Sequence, residues 1–368
     1  MPGRIRPRSA MVATLFFFVS ASRFTLLARA ADPPPSPHET AVLDRIFANW
    51  KARSDRVRSV HITWDCRTTY PKGSRDRTSG TVPLQRFEHD QAFEQFGVQG
   101  FFEGDQRFCK IETPIFKVPQ AKPADARRVV GRWIIDGDTS SQYSAGSRYE
   151  TGSPAEQSRK AYGVLYRTMR VEQQMADPTL QALWLTFRPQ FPGVSWLRDQ
   201  CRLVDENASM DNGRCVKIQR VIVQKSGNGA RGGKRIESLW VSPVRDDVVA
   251  HWTVEGPILH REGAIRYKKD PKFGWVPSEW TSEAKDFHQE CRVISYAINE
   301  KIDPFVFSQQ FPPGTAVQDQ RGMNTPDGIR NYVVEPDGSQ RAITSAEYKE
   351  LAGLRAPSGT RRARAAPK

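Results

Sequence analysis

The side chains best suited to hold a metal or to attack a carbonyl are six histidines and five cysteines, scattered over the 368 residues. Zinc sites and thiol redox sites are recognised by closely spaced ligands, because a short loop must bring them to one point. No two cysteines form Cys-x-x-Cys, and the histidines form neither His-Glu-x-x-His nor His-x-His. The sequence therefore predicts no metal site, no cofactor and no catalytic residue from this set.

A glycine-rich segment at residues 227–232, GNGARG, has the spacing of a dinucleotide-binding loop. Such a loop works only where a helix follows, because the amides of its first turn hold the pyrophosphate. The residues that follow, GKRIESLWV, instead alternate like a strand. No Gly-x-Ser-x-Gly elbow occurs, so the best-marked pattern of serine hydrolases is missing. We interpret the segment as a hairpin loop, and a hydrolase site assembled from distant residues stays open as an alternative.

The first 30 residues have the three parts of a secretory signal. Three arginines precede the apolar run AMVATLFFFVSA, and the segment ends in the small-x-small sequence ARA. The run is shorter than the ~20 apolar residues that span a bilayer, and Arg23 interrupts it. We predict cleavage between Ala30 and Ala31, with Ala21 as the second choice. The product is expected in the periplasm or the extracellular space, without a membrane-spanning segment.

The net charge of +14 is concentrated at the two ends of the chain. Residues 1–30 carry five basic residues and no acid, and residues 355–368 carry five more and no acid. Proteins that bind nucleic acid cluster their basic residues on one face of a folded domain. The distribution therefore argues against nucleic-acid binding. We expect a disordered basic tail that can touch anionic surfaces.

Capping signals mark the expected helices. Ser36, a proline and Glu39 form the start of an amphipathic helix that is predicted to reach about Asp55. A similar sequence at Ser153 predicts a helical stretch to about residue 176, and TLQALWLTF predicts a short helix after it. Another capping box, which begins at Thr344, predicts a terminal helix.

Between the helices the apolar residues recur at every second position, as in VHITWDCRTTY, which is typical of half-buried strands. The dipeptides Asp136-Gly137 and Asp337-Gly338 predict tight hairpin turns. Short connections elsewhere make neighbouring strands antiparallel. The sequence thus predicts an α+β fold built on one large antiparallel sheet.

The expected organisation is a single domain between two short terminal segments. We predict a Pro-rich spacer at residues 31–40, one α+β domain at 41–354 and the basic tail at 355–368. A helical insert is expected at about residues 153–193.

The cysteines raise two expectations for an exported protein. Cys66 shares a strand face with apolar residues such as Trp64, which predicts a buried side chain rather than a reactive thiol. Cys201 and Cys215 flank a segment whose end, at Gly213, suits a turn, and we predict a disulfide that closes this hairpin. Two free thiols on a long loop are the open alternative.

Several segments together resemble exported bacterial proteins of the lipoprotein-carrier (LolA/LolB-like) superfamily, in particular uncharacterised members. The matching segments are NWKARSDRVRSVHITW, WIIDGDTSSQY, ALWLTFRPQFPG, LWVSPVRDDVVAHW, GWVPSEWTSEAK, FVFSQQFPPGTAVQDQR and YVVEPDGSQR. The resemblance implies an incomplete antiparallel β-barrel, with a large curved sheet, helices packed on its concave side and an apolar concave face that holds acyl chains. It offers no catalytic residue.

Tryptophans on the predicted strands are the remaining candidates for a site. We expect Trp64, Trp240 and Trp252 to line an apolar ligand site, and an ordinary filled core is the open alternative. The functional prediction is a non-enzymatic envelope protein that binds an apolar or lipid-like ligand or a lipidated partner. Alternatives are a structural or interaction domain without a ligand and the hydrolase mentioned above.

Overall fold

The computed structural model describes most of the chain after the predicted signal. The described residues are 34–74, 90–104, 107–112, 115–118, 130–137, 139–145, 161–167, 178–190, 196–210, 213–224, 233–257, 260–323 and 328–352. The predicted signal at 1–30, the glycine-rich segment at 227–232 and the basic tail at 355–368 lie outside them.

Three α-helices occur in this part of the chain: α1 (Pro37–Arg56), α2 (Pro178–Phe187) and α3 (Ser345–Leu351). The predicted N-cap of α1 is confirmed, since the Ser36 hydroxyl accepts the amide of Glu39 at 3.1 Å. The capping box of α3 is confirmed between Thr344 and Glu347. Among the described residues, no helix combines the length and the apolar character that crossing a membrane requires.

Seventeen strands form one sheet in the described part of the chain. They are β1 (Ser59–Tyr70), β2 (Gln91–Glu103), β3 (Arg107–Glu112), β4 (Ile115–Val118), β5 (Val130–Asp136), β6 (Thr139–Ala145), β7 (Ala161–Arg167), β8 (Cys201–Met210), β9 (Gly213–Gln224), β10 (Gly233–Ser242), β11 (Val248–Glu255), β12 (His260–Asp270), β13 (Gly274–Ala284), β14 (Phe287–Ile298), β15 (Ala316–Asp319), β16 (Arg330–Val334) and β17 (Gln340–Ala342).

The strands pair mainly with their neighbours in sequence. From one edge the order runs β8 through β14, then β1 and β2. It continues through β3 and β4, which both pair with β2, to β5, β6, β7, β15, β16 and β17. All of these pairs are antiparallel except β7 with β15. Because no pairing of the described strands joins β8 to β17, the sheet is not closed into a barrel.

The pairing of β1 with β14 divides this sheet into two parts. Strands β8 to β14 lie on one side of it, and β1 to β7 with β15 to β17 lie on the other. We call this pairing the seam. It joins residues near position 65 to residues near position 292.

The main core lies on one side of the sheet, which we call the packed face. The predicted alternation in β1 is confirmed, because Val60, Ile62, Trp64 and Cys66 are all buried in this core. One side of α1 and nearly all of α2 complete the core, with these buried side chains: Val42, Leu43, Ile46, Phe47, Trp50, Leu180, Ala182, Leu183, Trp184, Leu185 and Phe187.

Helix α1 is held to the sheet by a buried carboxylate at the turn before β11. Asp247 accepts hydrogen bonds from Asn49 at 2.6 Å and from Arg45 at 3.3 Å. Its backbone oxygen accepts the indole N–H of Trp50 at 2.7 Å. Asp246 and Asp247 both have positive φ, the left-handed conformation that Asp tolerates better than most residues. This turn therefore fixes where α1 lies.

The predicted helical stretch from Ser153 to about residue 176 is wrong in part. Residues 161–167 form β7, which pairs with β6 on one side and β15 on the other. The alternating, aromatic-rich sequence AYGVLYR suits a strand, and its two neighbours satisfy its backbone groups. The short helix predicted from TLQALWLTF is confirmed as α2, and both predicted Asp-Gly hairpin turns are confirmed, with positive φ at Gly137 and Gly338.

Candidate functional site

Three tryptophans lie on the packed face, each on a different strand. Trp64 (β1), Trp252 (β11) and Trp280 (β13) are each at most 1% exposed and belong to the main core. The rings of Trp64 and Trp280 are 5.8 Å apart between centroids and tilted by 56°. We call these three residues the tryptophan cluster.

Bare glycine backbone lies against two of these rings. A Cβ added to Gly100 would come within 3.0 Å of the Trp64 ring, and one added to Gly263 within 2.7 Å of the Trp252 ring. Such distances are shorter than ordinary carbon contacts, so only glycine allows the indoles to lie this close to β2 and β12. On these sides the cluster is tightly packed.

The indole N–H groups of the tryptophan cluster have no hydrogen-bond acceptor. Nε1 of Trp64, Trp252 and Trp280 is buried and unpartnered. Buried polar groups are nearly always paired, and an unpaired one costs about 1–3 kcal/mol. Three such donors within one apolar core form the unusual feature of this face. They can donate to the oxygen atoms of a ligand.

Helix α2 lies over this part of the sheet and is enclosed on several sides. The Trp184 ring is 5.0 Å from that of Phe102 and 4.8 Å from that of Phe108, on β2 and β3. Thr186 and the Tyr267 hydroxyl, on β12, are 3.2 Å apart. The Tyr267 hydroxyl donates to the backbone oxygen of Val249, and burial raises its pKa to about 12. The helix also packs against β11 and β13, the strands that carry Trp252 and Trp280.

The structure separates Trp240 from the other two predicted ligand-lining residues. On β10, Leu239 and Val241 point into the core, so Trp240 between them lies on the opposite face. There the Lys217 ammonium lies 4.5 Å from its ring centroid and His251 packs edge-on. Adjacent positions of a strand face opposite sides, which excludes Trp240 from the packed face.

The sequence did not single out Trp280, although it lies in a segment that was predicted as a strand. Trp275 and Trp280 are separated by an odd number of positions, so a regular strand would place only one of them in the core. Trp280 takes the core position, while Trp275 stacks with Arg245 outside it. The buried residues Val276 and Ser282 lie at positions of the same parity, an alternation that could have identified Trp280.

A groove of about 510 Å³ lies along β1, β2, β12, β13 and β14. Its charged lining residues are Asp65, Arg67, Glu94, Arg266, Glu279, Glu290 and Arg292. Arg266 and Glu279 form an ion pair at 2.8 Å. The described lining residues include neither His nor Ser, so no Ser–His pair occurs among them. No group of three or more potential metal ligands occurs in the described chain.

The predicted Cys201–Cys215 disulfide is not formed in the structure, where both residues are buried free thiols. In the pairing of β8 with β9, Cys201 lies opposite Arg220 and Cys215 lies opposite Ala208. Five positions along β9 separate Cys215 from the partner of Cys201, which corresponds to roughly 17 Å. A disulfide requires Cα atoms within about 7 Å. The predicted burial of Cys66 is confirmed.

Comparison with solved structures relates the chain to proteins of low sequence identity. A DUF1329 family protein from Desulfovibrio piger aligns over 74% of this chain and 97% of its own, at 11% identity and a TM-score of 0.36. A putative outer membrane lipoprotein-sorting protein domain from Vibrio parahaemolyticus aligns over 73% and 96%, at 8% identity and 0.36. The Mycobacterium tuberculosis lipoprotein LppX aligns over 72% and 97%, at 10% identity and 0.25.

No protein-family model matches the chain, and no curated protein does. Because the TM-scores to the solved structures are low, we base the functional proposal on the contacts of this chain itself.

Proposed function

We propose that the protein is an exported, non-enzymatic envelope protein that binds an apolar ligand at the tryptophan cluster. The ligand carries an oxygen acceptor, such as the carbonyl of an acyl ester or amide. The observation that supports this is the set of three buried indole N–H groups without acceptors on Trp64, Trp252 and Trp280. A lipid or a lipidated partner has both the apolar chain and the carbonyl that this site requires.

The energetics favour a ligand that is mostly apolar and carries one polar acceptor group. An unpaired buried donor is costly, and a carbonyl that accepts from it removes that cost. The surrounding core of aliphatic and aromatic side chains suits the remainder of an acyl chain. A purely apolar ligand would leave the donors unpaired, and a polar one would not replace the apolar contacts.

Entry of a ligand requires that α2 gives way, because this helix packs against the strands that carry Trp252 and Trp280. We propose that the sheet curves around α2 and that the helix occupies its concave side. In support of this, α2 contacts Phe102 and Phe108 on one part of the sheet and Tyr267 on another. A ligand would replace contacts that α2 makes in the unliganded state.

A scaffold without a ligand is the second candidate function. The close contact of Gly100 with Trp64 and of Gly263 with Trp252 favours it, because a tightly filled core leaves little space for an acyl chain. In this case the indole donors are a tolerated cost of packing.

The test uses palmitic acid and a palmitoylated tripeptide as probes of the mature protein. Binding is expected to quench Trp fluorescence and to raise the melting temperature, with about 2.7 kcal/mol of stabilisation at a hundredfold excess over Kd. Native mass spectrometry of the purified protein is expected to detect a lipid that co-purifies with it.

Matched Trp→Phe variants separate the two candidates. Trp280→Phe keeps the apolar ring and removes the donor, so the Kd for the acylated probe should rise about five- to tenfold. Trp240→Phe, on the opposite face, should leave the Kd unchanged. The scaffold function is favoured, and the binding function is rejected, if no lipid co-purifies and neither probe changes the Trp fluorescence or the melting temperature.

A further inference from the structure

Two cysteines that sequence patterns did not connect lie directly opposite each other at the seam. Cys66 on β1 pairs with Cys291 on β14, at positions 225 residues apart in the chain. Their Sγ atoms are 2.8 Å apart, and both side chains are buried in the main core. No disulfide joins any of the five cysteines in the structure.

The backbone already has the geometry that a disulfide needs. Directly opposed residues of antiparallel strands have Cα atoms about 4.5–5.5 Å apart, within the range of about 4.4–6.8 Å found for bridged cysteines. The other three cysteines lack such a partner position. Cys109 lies opposite Phe101 on one side and Ile134 on the other. Cys201 lies opposite Arg220, and Cys215 lies opposite Ala208. On the other side of β9, Val216, the neighbour of Cys215, pairs with Val241.

We propose that Cys66 and Cys291 form a disulfide in the exported protein and that this bond fastens the seam. Two S–H bonds break and one S–S bond forms, with release of two protons and two electrons. The electrons reduce the disulfide of a protein oxidant to two thiols by thiol–disulfide exchange. This inference rests on the proposed export, which brings the chain into an oxidising compartment. The oxidant is a disulfide-bearing protein of that compartment.

The position of the bond determines its effect on the molecule. The seam joins β14, the last strand of the part β8 to β14, to β1, which belongs to the other part of the sheet. A bond across the seam prevents the two parts of the sheet from separating during local opening. It also lowers the conformational entropy of the unfolded chain. Because each side chain is only 3% exposed, the folded protein should also shield the bond from soluble reductants.

Tryptic mapping can identify the bond without ambiguity, because trypsin places every cysteine in a separate peptide. The exported protein is denatured, alkylated without reductant, digested and analysed by mass spectrometry. Peptides 59–67 and 286–292 should appear as one linked species, about 2 Da lighter than the two thiol peptides together. Cys109, Cys201 and Cys215 should be alkylated. Alkylation of Cys66 in this sample would overturn the proposal.

A second experiment tests the geometry without export. Protein that has been reduced in denaturant is refolded with a mixture of reduced and oxidised glutathione and mapped in the same way. Linked peptides 59–67 and 286–292 support the proposal, whereas free thiols or glutathione adducts at Cys66 and Cys291 without the link overturn it. This experiment does not depend on ligand binding, so its failure is distinct from failure of the proposed function.

Thermal unfolding measures how much the bond stabilises the protein. The oxidised protein should melt roughly 5–10 °C above the same protein after reduction in denaturant and refolding. Cys109→Ala should keep this difference, while the Cys66→Ala, Cys291→Ala double variant should lose it. An equal difference in the double variant would assign the effect to other cysteines and overturn the proposal.

Discussion

At the scale of residues, two large rings on the packed face lie against residues that have no side chain: Trp64 contacts Gly100, and Trp252 contacts Gly263. The glycines are required by contact rather than by backbone angle, since neither has a positive φ. Their role is to let the indoles approach the strand backbone. The same packing leaves the indole N–H groups directed at an apolar core without an acceptor.

The close approach at Gly263 predicts a strong effect of one methyl group. In Gly263→Ala the new Cβ would lie 2.5 Å from the Thr281 backbone oxygen and 2.7 Å from the Trp252 ring. We expect a loss of about 1–3 kcal/mol in the free energy of unfolding, measured by denaturant titration. The neighbouring Ala264→Ser, a small change at a half-buried position, should change it by less than about 0.5 kcal/mol. Equal stability of Gly263→Ala and the wild type would contradict the packing described here.

Buried thiol and phenol groups predict a loss of stability in alkali. Burial raises the pKa of Cys201 to about 12 from 9.0, and that of Tyr267 to about 12 from 10.0. The folded state therefore holds these protons more tightly than the unfolded state does. Their contribution is fully present below about pH 9 and is lost as the pH rises towards about 12.

Denaturant titrations at about pH 8, 9.5 and 10.5 measure this effect. The free energy of unfolding should fall over the upper part of the series. Cys201→Ala should reduce the slope, because its thiol no longer titrates in the unfolded state. A slope identical to that of the wild type would show that other groups control the alkaline behaviour.

At the scale of elements, one arginine joins three chain segments around the end of α2. Arg188 is 1% exposed and donates to the backbone oxygens of Gly104 at 3.0 Å, Phe187 at 2.8 Å and Arg58 at 3.2 Å, and also to that of Val57. These oxygens belong to the β2–β3 turn, the end of α2 and the connection between α1 and β1. The planar guanidinium, with five N–H donors in a fixed arrangement, can reach them together.

Removal of this guanidinium should loosen α2. Arg188→Met keeps much of the side-chain volume but leaves buried carbonyls without a donor, so we expect a loss of about 2–4 kcal/mol. Arg198→Met, which breaks a surface ion pair with Asp44, should cost less than about 1 kcal/mol. Both are measured by denaturant titration. Similar losses in the two variants would show that Arg188 does not act as this connection.

At the scale of the whole molecule, a single sheet is assembled from two sets of strands that meet at the seam. Within each set most partners are neighbours in sequence, but the seam joins β1 to β14, across most of the chain. Loop closure makes such distant contacts slow to form. A covalent bond between Cys66 and Cys291 would therefore hold together a contact that closes a loop of 225 residues.

Export predicts a specific N-terminus for the mature protein. The signal should be removed between Ala30 and Ala31, because residues 28–30 provide the small-x-small sequence after the apolar run. N-terminal sequencing of the protein recovered outside the cytoplasm measures the cleavage point. Protein with an intact Met1 in the membrane fraction would contradict the prediction, and a start after Ala21 would support export with the second site.

The sequence by itself determined the local elements. The caps at Ser36 and Thr344, the apolar helix α2 and both Asp-Gly turns were predicted correctly, because their signals lie within a few residues of one another. The alternation in β1 likewise identified its buried side. Strand β7 was predicted as helix although its composition suits a strand, because the capping signal at Ser153 precedes it; the partners β6 and β15 that satisfy its backbone lie elsewhere in the chain.

Only the tertiary structure decided which side chains meet. Alternation assigns residues to two sides within one strand but does not relate those sides between strands, so Trp240 was grouped with Trp64 and Trp252 although it lies on the opposite face. Register is also a property of the pair, which is why Cys201 and Cys215 do not meet. Cys66 and Cys291 do meet, because the seam brings together residues 225 positions apart, and no local pattern carries that information.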